Sequence, residues 1–129
     1  MKILVIEDSK ISSVIISSVL KKVFDNPSLE FAEDGDIAAL MVAKRVYDLI
    51  LCDYGLPGVQ GDEIILKSIE FLQPAKIIAI SASQKSNELM EFIGAAGAIQ
   101  KDRFVNALLN PQKFISLEVE IKDIAGSHE

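Results

Sequence analysis

An apolar run that stops abruptly on a carboxylate constrains this chain most: Leu49-Ile50-Leu51-Cys52-Asp53, followed by Tyr54-Gly55-Leu56-Pro57-Gly58. A short run rich in Leu and Ile, with no polar residue interleaved, is the pattern of a strand buried on both faces. Pro57 and Gly58 stop it. Asp53 is therefore expected at the C-terminal end of a buried strand, where open α/β sheets place their ligands. Two more runs behave alike. Lys2-Ile3-Leu4-Val5-Ile6 ends on the adjacent acids Glu7-Asp8, and Lys76-Ile77-Ile78-Ala79-Ile80 runs into Ser81-Ala82-Ser83.

Between these runs the apolar residues take helical spacing. Ser9 can cap a helix from Ile11 to Phe24, with Lys10, Ser17 and Lys21 opposite its apolar stripe, and Asp25-Asn26-Pro27 breaks it. Leu29 and Phe31 alternate with Glu30, which suits a short edge strand, before Asp34-Gly35 turns into an Ala-rich helix from Asp36 to about Arg45. Gly61 opens a helix to about Leu72, with Asp62 and Glu63 complementing its dipole. A further helix from about Ser86 to Ala96 carries Leu89, Ile93 and Ala96 on one face, and Gly97-Ala98-Ile99-Gln100 forms a last short strand before Lys101. Strands alternating with helices predict the α/β class, a parallel sheet with helices on both faces.

Two patterns compete over residues 111–125. Asn110 as cap, Pro111 at the first helical position and Gly126 past the end bracket a helix with Phe114, Leu117, Ile121 and Ile124 on one stripe. Ile115, Leu117, Val119 and Ile121 also alternate with polar residues as a strand would. The capping signals favour the helix. Ser127 to Glu129 read as a frayed tail, in which His128 has no ligand partner nearby in sequence.

At 129 residues the chain is expected to be one domain, residues 1–129. Its 50% hydrophobic and 25% charged residues suffice for a core without metal or disulfide. Cys52 is the single cysteine, and its apolar flanks raise a thiol's pKa, so it reads as a small core residue rather than a nucleophile. No charged n-region precedes an apolar h-region, and no run long enough to span a bilayer occurs, so the expected compartment is the cytoplasm, without membrane association. A net charge of −6 and a pI near 4.8 disfavour direct nucleic-acid binding, which wants a basic face.

The strand ends bring together Glu7, Asp8, Asp53, Ser81 and Lys101. Taken singly, each acid reads as a solvated loop residue, Ser81 as a turn or cap hydroxyl, Lys101 as a surface charge and Tyr54 as a site-edge side chain. Together they describe a site. Carboxylates crowded at one mouth repel each other, an arrangement tolerated when a hard divalent cation occupies the oxygen cage. Mg²⁺ fits best, because it takes oxygen ligands, keeps several waters and shares its shell with phosphoryl groups. Lys101 offers a point charge and Ser81 a hydroxyl to phosphoryl oxygens, and an aspartate can accept phosphate covalently.

At these residues the chain resembles the response-regulator receiver domain of two-component signalling, of the chemotaxis-regulator kind, over essentially its whole length. The matching elements are Glu7-Asp8, Asp53 followed by Pro57 and Gly61, Ser81-Ala82, and Gly94-Ala95 through Gly97 to Lys101, with Ala32-Glu33-Asp34-Gly35. The resemblance implies a flavodoxin-like, doubly wound five-stranded sheet of order 2-1-3-4-5. It implies that Asp53 accepts a phosphoryl group from a histidine kinase or phosphotransfer protein. Asp8, Asp53 and the Gly55 carbonyl would ligate Mg²⁺, and Glu7 would act mainly through a metal-bound water. Lys101 would hold a phosphoryl oxygen, and Ser81 would turn toward the phosphate and drag the following loop. Such a protein is a signalling phosphoacceptor that catalyses only its own phosphorylation and dephosphorylation. Its output is expected on the face made by the helix near residues 86–96, the strand at Ile99 and the C-terminal helix, which has apolar residues to spare and corresponds to the fourth helix, fifth strand and fifth helix of the family's fold. The signal would pass from there to a downstream protein target, as altered packing or self-association.

Two positions depart from the family pattern. Ala98 stands where an aromatic switch normally lies, three residues before the lysine. Asp102 replaces the proline that normally follows the lysine after a cis bond. A cis bond before a non-proline residue costs roughly 2.5–4 kcal/mol, so residues 102–110 are expected to take their own path. These departures motivate an alternative, a degenerate receiver serving as a phosphorylation-independent adaptor. Two enzyme-like alternatives fare worse. An aspartate-nucleophile phosphatase would usually carry a second Asp two residues on, where this chain has Gly55. A flavin or dinucleotide carrier needs a phosphate-cradling loop after the first strand, where Glu7-Asp8-Ser9 would repel phosphate.

Overall fold

The computed structural model describes residues 1–126, so the tail with His128 lies outside the described residues. Eleven elements follow in order: β1 (Lys2–Ile6), α1 (Lys10–Val23), β2 (Ser28–Ala32), α2 (Gly35–Lys44), β3 (Leu49–Asp53), α3 (Gly61–Glu70), β4 (Lys76–Ser81), α4 (Gln84–Ile93), β5 (Gly97–Gln100), α5 (Asp102–Leu109) and α6 (Pro111–Ala125). All strand pairs are parallel, in the order β2-β1-β3-β4-β5. This is the expected doubly wound sheet.

The unbroken apolar runs follow from burial on both faces. Ile3, Val5, Leu49, Leu51, Ile78, Ile80 and Ile99 point to one side, beneath α1, α5 and α6. Leu4, Ile6, Ile50, Cys52, Ile77 and Ala79 point to the other, against α2, α3 and α4. Each fully buried aliphatic side chain contributes about 1.5–3 kcal/mol relative to exposure. Among the described residues no helix is long and apolar enough to cross a membrane.

Helix starts follow the capping residues. Ser9 Oγ accepts from Ser12 N–H at 3.3 Å, Asp34 Oδ1 from Ile37 N–H at 2.8 Å, and Ser83 Oγ from Ser86 N–H at 3.2 Å. Asn110 Oδ1 accepts from Gln112 and Lys113 N–H, and Pro111 occupies the first turn, so the helical reading of residues 111–125 holds. Leu117 and Ile121 are buried against the sheet, whereas Ile115 and Val119 of the competing strand pattern face solvent.

The structure corrects several details. The helix read from Ser86 to Ala96 instead spans Gln84–Ile93 and buries Asn87 and Met90, while Leu89 is 40% exposed and Ala96 lies outside the helix and is exposed. The cap at Ser83 sets the helical phase, and the buried position at Asn87 is polar, so hydropathy misplaced the inward face. α3 ends two residues before Leu72, which takes φ +56°. Ser17, read as lying opposite the apolar stripe, is itself buried. For residues 102–110 every described peptide is trans, and the chain turns directly from Lys101 into α5, burying Phe104 and Ala107. Arg103 on α5 pairs with Glu120 on α6, tying the two helices.

Candidate functional site

Parallel register brings the strand ends to one edge. Ile6 pairs with Cys52, Asp53 with Ile80, and Ser81 with Gln100, so Glu7, Asp53, Ser81 and Lys101 emerge side by side. Backbone pairing continues one step past two strands: Glu7 N–H donates to Ala32 O at 3.0 Å and Lys101 N–H to Ser81 O at 3.1 Å. These bonds fix two site residues through the main chain, independently of their side chains.

Glu7 is 1% exposed, Asp53 is 6% exposed and Asp8 is open to solvent. One carboxylate oxygen from each of the three lies within 4.8 Å of the others. Lys101 Nζ sits 2.5 Å from Glu7 Oε1, as an ion pair rather than an aligned hydrogen bond, and donates to Asp53 Oδ2 at 3.0 Å. The second oxygens are held by backbone, with Ser9 N–H donating to Glu7 Oε2 at 3.2 Å and Tyr54 N–H to Asp53 Oδ1 at 2.8 Å.

Burial pushes the Glu7 carboxyl upward, by more than the Lys101 ammonium and the Ser9 N–H pull it down. Burial alone would lower the Lys101 ammonium, but its contacts with Glu7 and Asp53 outweigh that and hold it above its ordinary value. The lysine read from sequence as a partner for phosphoryl oxygens is thus also the internal counter-ion of two acids. Cys52 is fully buried and its thiol is pushed far up by desolvation, then by Asp53 and Asp62, so it stays an inert core residue as read.

The donor set suits a hard divalent cation. Three carboxylates converge with no nitrogen or sulfur ligand among them. The Gly55 carbonyl, two residues past Asp53 on an exposed loop, accepts no hydrogen bond among the described residues. An oxygen-only set of this kind fits Mg²⁺.

Two glycines leave room that the site loops need. A Cβ on Gly61 would lie 2.2 Å from Asp53 O, and one on Gly35 would lie 1.6 Å from Val59 O. Gly61 N–H donates to Tyr54 O, and Gly35 N–H to Pro57 O, both at 2.9 Å. The loop after Asp53 is therefore clamped between the first turns of α3 and α2. Sequence reading matched both glycines to a pattern without finding this reason, because the contacting backbone is remote in the chain. It also overlooked Asn87, whose Nδ2 donates to Ser81 O at 3.3 Å; the detectable signal was a polar residue one turn after the Ser83 cap. Ser81 Oγ accepts from Ser83 N–H at 3.1 Å.

Comparison with known proteins agrees with this geometry. The family model "Response regulator receiver domain" matches residues 3–110. The chemotaxis protein CheY-3 of Vibrio cholerae is 29% identical over 93 residues, covering 70% of this chain and 71% of that protein. The rice (Oryza sativa subsp. japonica) two-component response regulator ORR41 is 29% identical over 114 residues, covering 87% of each. In fold, the receiver domain of the Pseudomonas aeruginosa sensor histidine kinase PA1611, solved with a magnesium ion coordinated in its active-site cleft, superposes with a TM-score of 0.76 at 22% identity, covering 98% of both chains. The acids, hydroxyl and lysine gathered at the sheet's C-terminal edge are thus seen in a chain that belongs to the response regulator receiver domain family, the signalling phosphoacceptors of two-component systems.

Proposed function

We propose that this chain is a single Mg²⁺-dependent receiver domain that takes a phosphoryl group onto Asp53 from a histidine kinase or phosphotransfer protein. The observation that carries the reading is the Asp53 carboxylate itself. One oxygen is held by Tyr54 N–H, and the other meets Lys101 Nζ at 3.0 Å, inside an acid cluster within 4.8 Å. Among the described residues it is the cluster carboxylate to which Lys101 donates a hydrogen bond, and its register partner Ile80 directly precedes Ser81.

In the transfer, Asp53 Oδ2 attacks phosphorus, the O–P bond forms as the P–N bond to the donor histidine breaks, and the departing imidazole nitrogen takes up a proton. Lys101 Nζ then neutralises a phosphoryl oxygen in place of the carboxylate it held. Ser81 Oγ turns its hydroxyl to another phosphoryl oxygen. Asp8, Asp53 and the Gly55 carbonyl would hold Mg²⁺, with Glu7 acting through a bound water. When bound, the ion neutralises charge building on the transferring group. The magnesium ion in the related PA1611 receiver supports this choice of metal. Exposed Ile11 and Val14 on α1, beside the acids, offer a donor protein an apolar footing. Output is assigned to the face of α4, β5 and the C-terminal helices, toward a downstream protein target in the cytoplasm.

Incubation with Mg²⁺ and acetyl phosphate, read by intact mass, tests the assignment. One phosphoryl group is expected on the wild type and none on Asp53→Asn. Stoichiometric, acid-labile phosphate on Asp53→Asn would refute it.

A further inference from the structure

The aromatic residue that the family pattern places three positions before the lysine is absent here, since Ala98 stands there between Gly97 and Ile99 on β5. Something else must join Ser81 to α4 if a signal leaves the site. Directly behind Ser81 lies an unusual group. Asn87 is 4% exposed, one of the few polar side chains in the core. Its orientation follows from its neighbour, because Nδ2 donates to Ser81 O at 3.3 Å, and the flipped amide would set oxygen against oxygen. That leaves Oδ1 buried with no hydrogen-bond partner among the described residues. A buried acceptor left bare is unfavourable, so any state that supplies a donor gains stability.

The missing donor is close in the chain. Ser83 N–H donates to Ser81 Oγ at 3.1 Å, and Asn87 N–H donates to Ser83 O at 3.1 Å. Ser83 is also the cap of α4, its Oγ accepting from Ser86 N–H. Ser81, Ser83 and Asn87 therefore form one small polar unit at the start of the helix. When Ser81 Oγ turns toward a phosphoryl group, it abandons the Ser83 N–H, so the unit then holds a bare donor and the acceptor already bare, both on residues bonded to Ser81.

We infer that Asn87 is a positioning residue that carries the movement of Ser81 into α4: the Ser83 amide passes from Ser81 Oγ in the unphosphorylated protein to Asn87 Oδ1 in the phosphorylated one. This rests on Asp53 being the acceptor. The exchange conserves hydrogen bonds while shifting the helix cap, giving two discrete arrangements with different contacts, which is what coupling requires. The lever is polar and lies at the N-terminal turn of α4, so it needs no side chain larger than Ala98 on β5.

Hydrogen exchange of the full chain, with and without beryllofluoride and Mg²⁺, tests it alongside mass labelling by acetyl phosphate. In the wild type, beryllofluoride should change protection of the Ser83 and Asn87 amides. Asn87→Leu, similar in size and without polar atoms, should still take one phosphoryl group at endpoint yet lose that α4 response. Ser81→Ala tests the same exchange independently: lacking the hydroxyl, it should show the α4 protection pattern of the activated wild type before any phosphate is added. An Asn87→Leu protein that labels and keeps the full α4 response would overturn the inference, as would Ser81→Ala with the wild-type resting pattern. A wild type that labels at Asp53 with α4 unchanged overturns the inference alone; a wild type that does not label overturns the receiver reading with it.

Discussion

Replacing Lys101 by Met keeps the aliphatic stem and removes the only cation among the described residues that touches Glu7 and Asp53. Lys101 is partly sheltered, with 24% side-chain exposure, and its two partners are far more buried, at 0% and 8%. Without it, charges up to 4.8 Å apart repel with nothing between them. At an effective dielectric near 20, that repulsion is about 3–4 kcal/mol, in the range expected when one member of a buried ion pair is removed. Glu7 is the group that can relieve it. Its folded pKa already stands above the ordinary 4.5, chiefly through burial, and losing Lys101 raises it further. A raised carboxyl binds its extra proton in the folded state, so its contribution to stability is complete below pH 4.5 and lost as the pH climbs through the folded value. Lys101→Met should therefore unfold in urea with a deficit of about 3 kcal/mol near pH 8, narrowing toward pH 5 by up to about 1.4 kcal/mol per pH unit. Saturating Mg²⁺ should recover part of the loss. A deficit that is absent at both pH values, or that grows on acidification, would refute this account of the acid cluster.

Asp8→Ala should weaken Mg²⁺ binding by at least about tenfold, followed through Tyr54 fluorescence; undiminished affinity would show that the cage is drawn wrongly. Gly61→Ala forces a Cβ to within 2.2 Å of Asp53 O, where only backbone can yield. It should cost about 1–3 kcal/mol in urea unfolding and slow labelling of Asp53, whereas unchanged values for both would show that the loop has slack. Gln73 Nε2 donates to Val42 O at 2.9 Å and Arg45 O at 2.6 Å, and its Oε1 accepts from Tyr47 N–H at 3.0 Å. Gln73→Ala should lose about 1–3 kcal/mol by unpairing the chain between α2 and β3, without affecting endpoint phosphate on Asp53.

The continuous apolar runs at Ile3–Ile6, Leu49–Cys52 and Ile77–Ile80 determine by themselves that this chain makes strands buried on both faces, since no alternating pattern leaves a wet side. Their polar terminators, Glu7, Asp53 and Ser81, were legible for the same local reason, as were the caps at Ser9 and Asn110, whereas Asp34, read as a turn residue, proved to be a cap. The strand order was a different matter: alternation implied a parallel sheet, and only resemblance to a family supplied 2-1-3-4-5. What the tertiary structure decided are relations between distant residues. Lys101 meets Asp53 across 48 positions of sequence and turns a set of repelling acids into a paired one. Gly61 and Gly35 earn their smallness only where another loop's carbonyl arrives. Asn87, which the sequence pattern did not single out, lies inward under Ser81 on a helix that starts at the Ser83 cap. Periodicity reports how one segment divides its residues between water and core; it carries no record of which other segment's charge or carbonyl will stand opposite, because that is set by packing of the whole sheet.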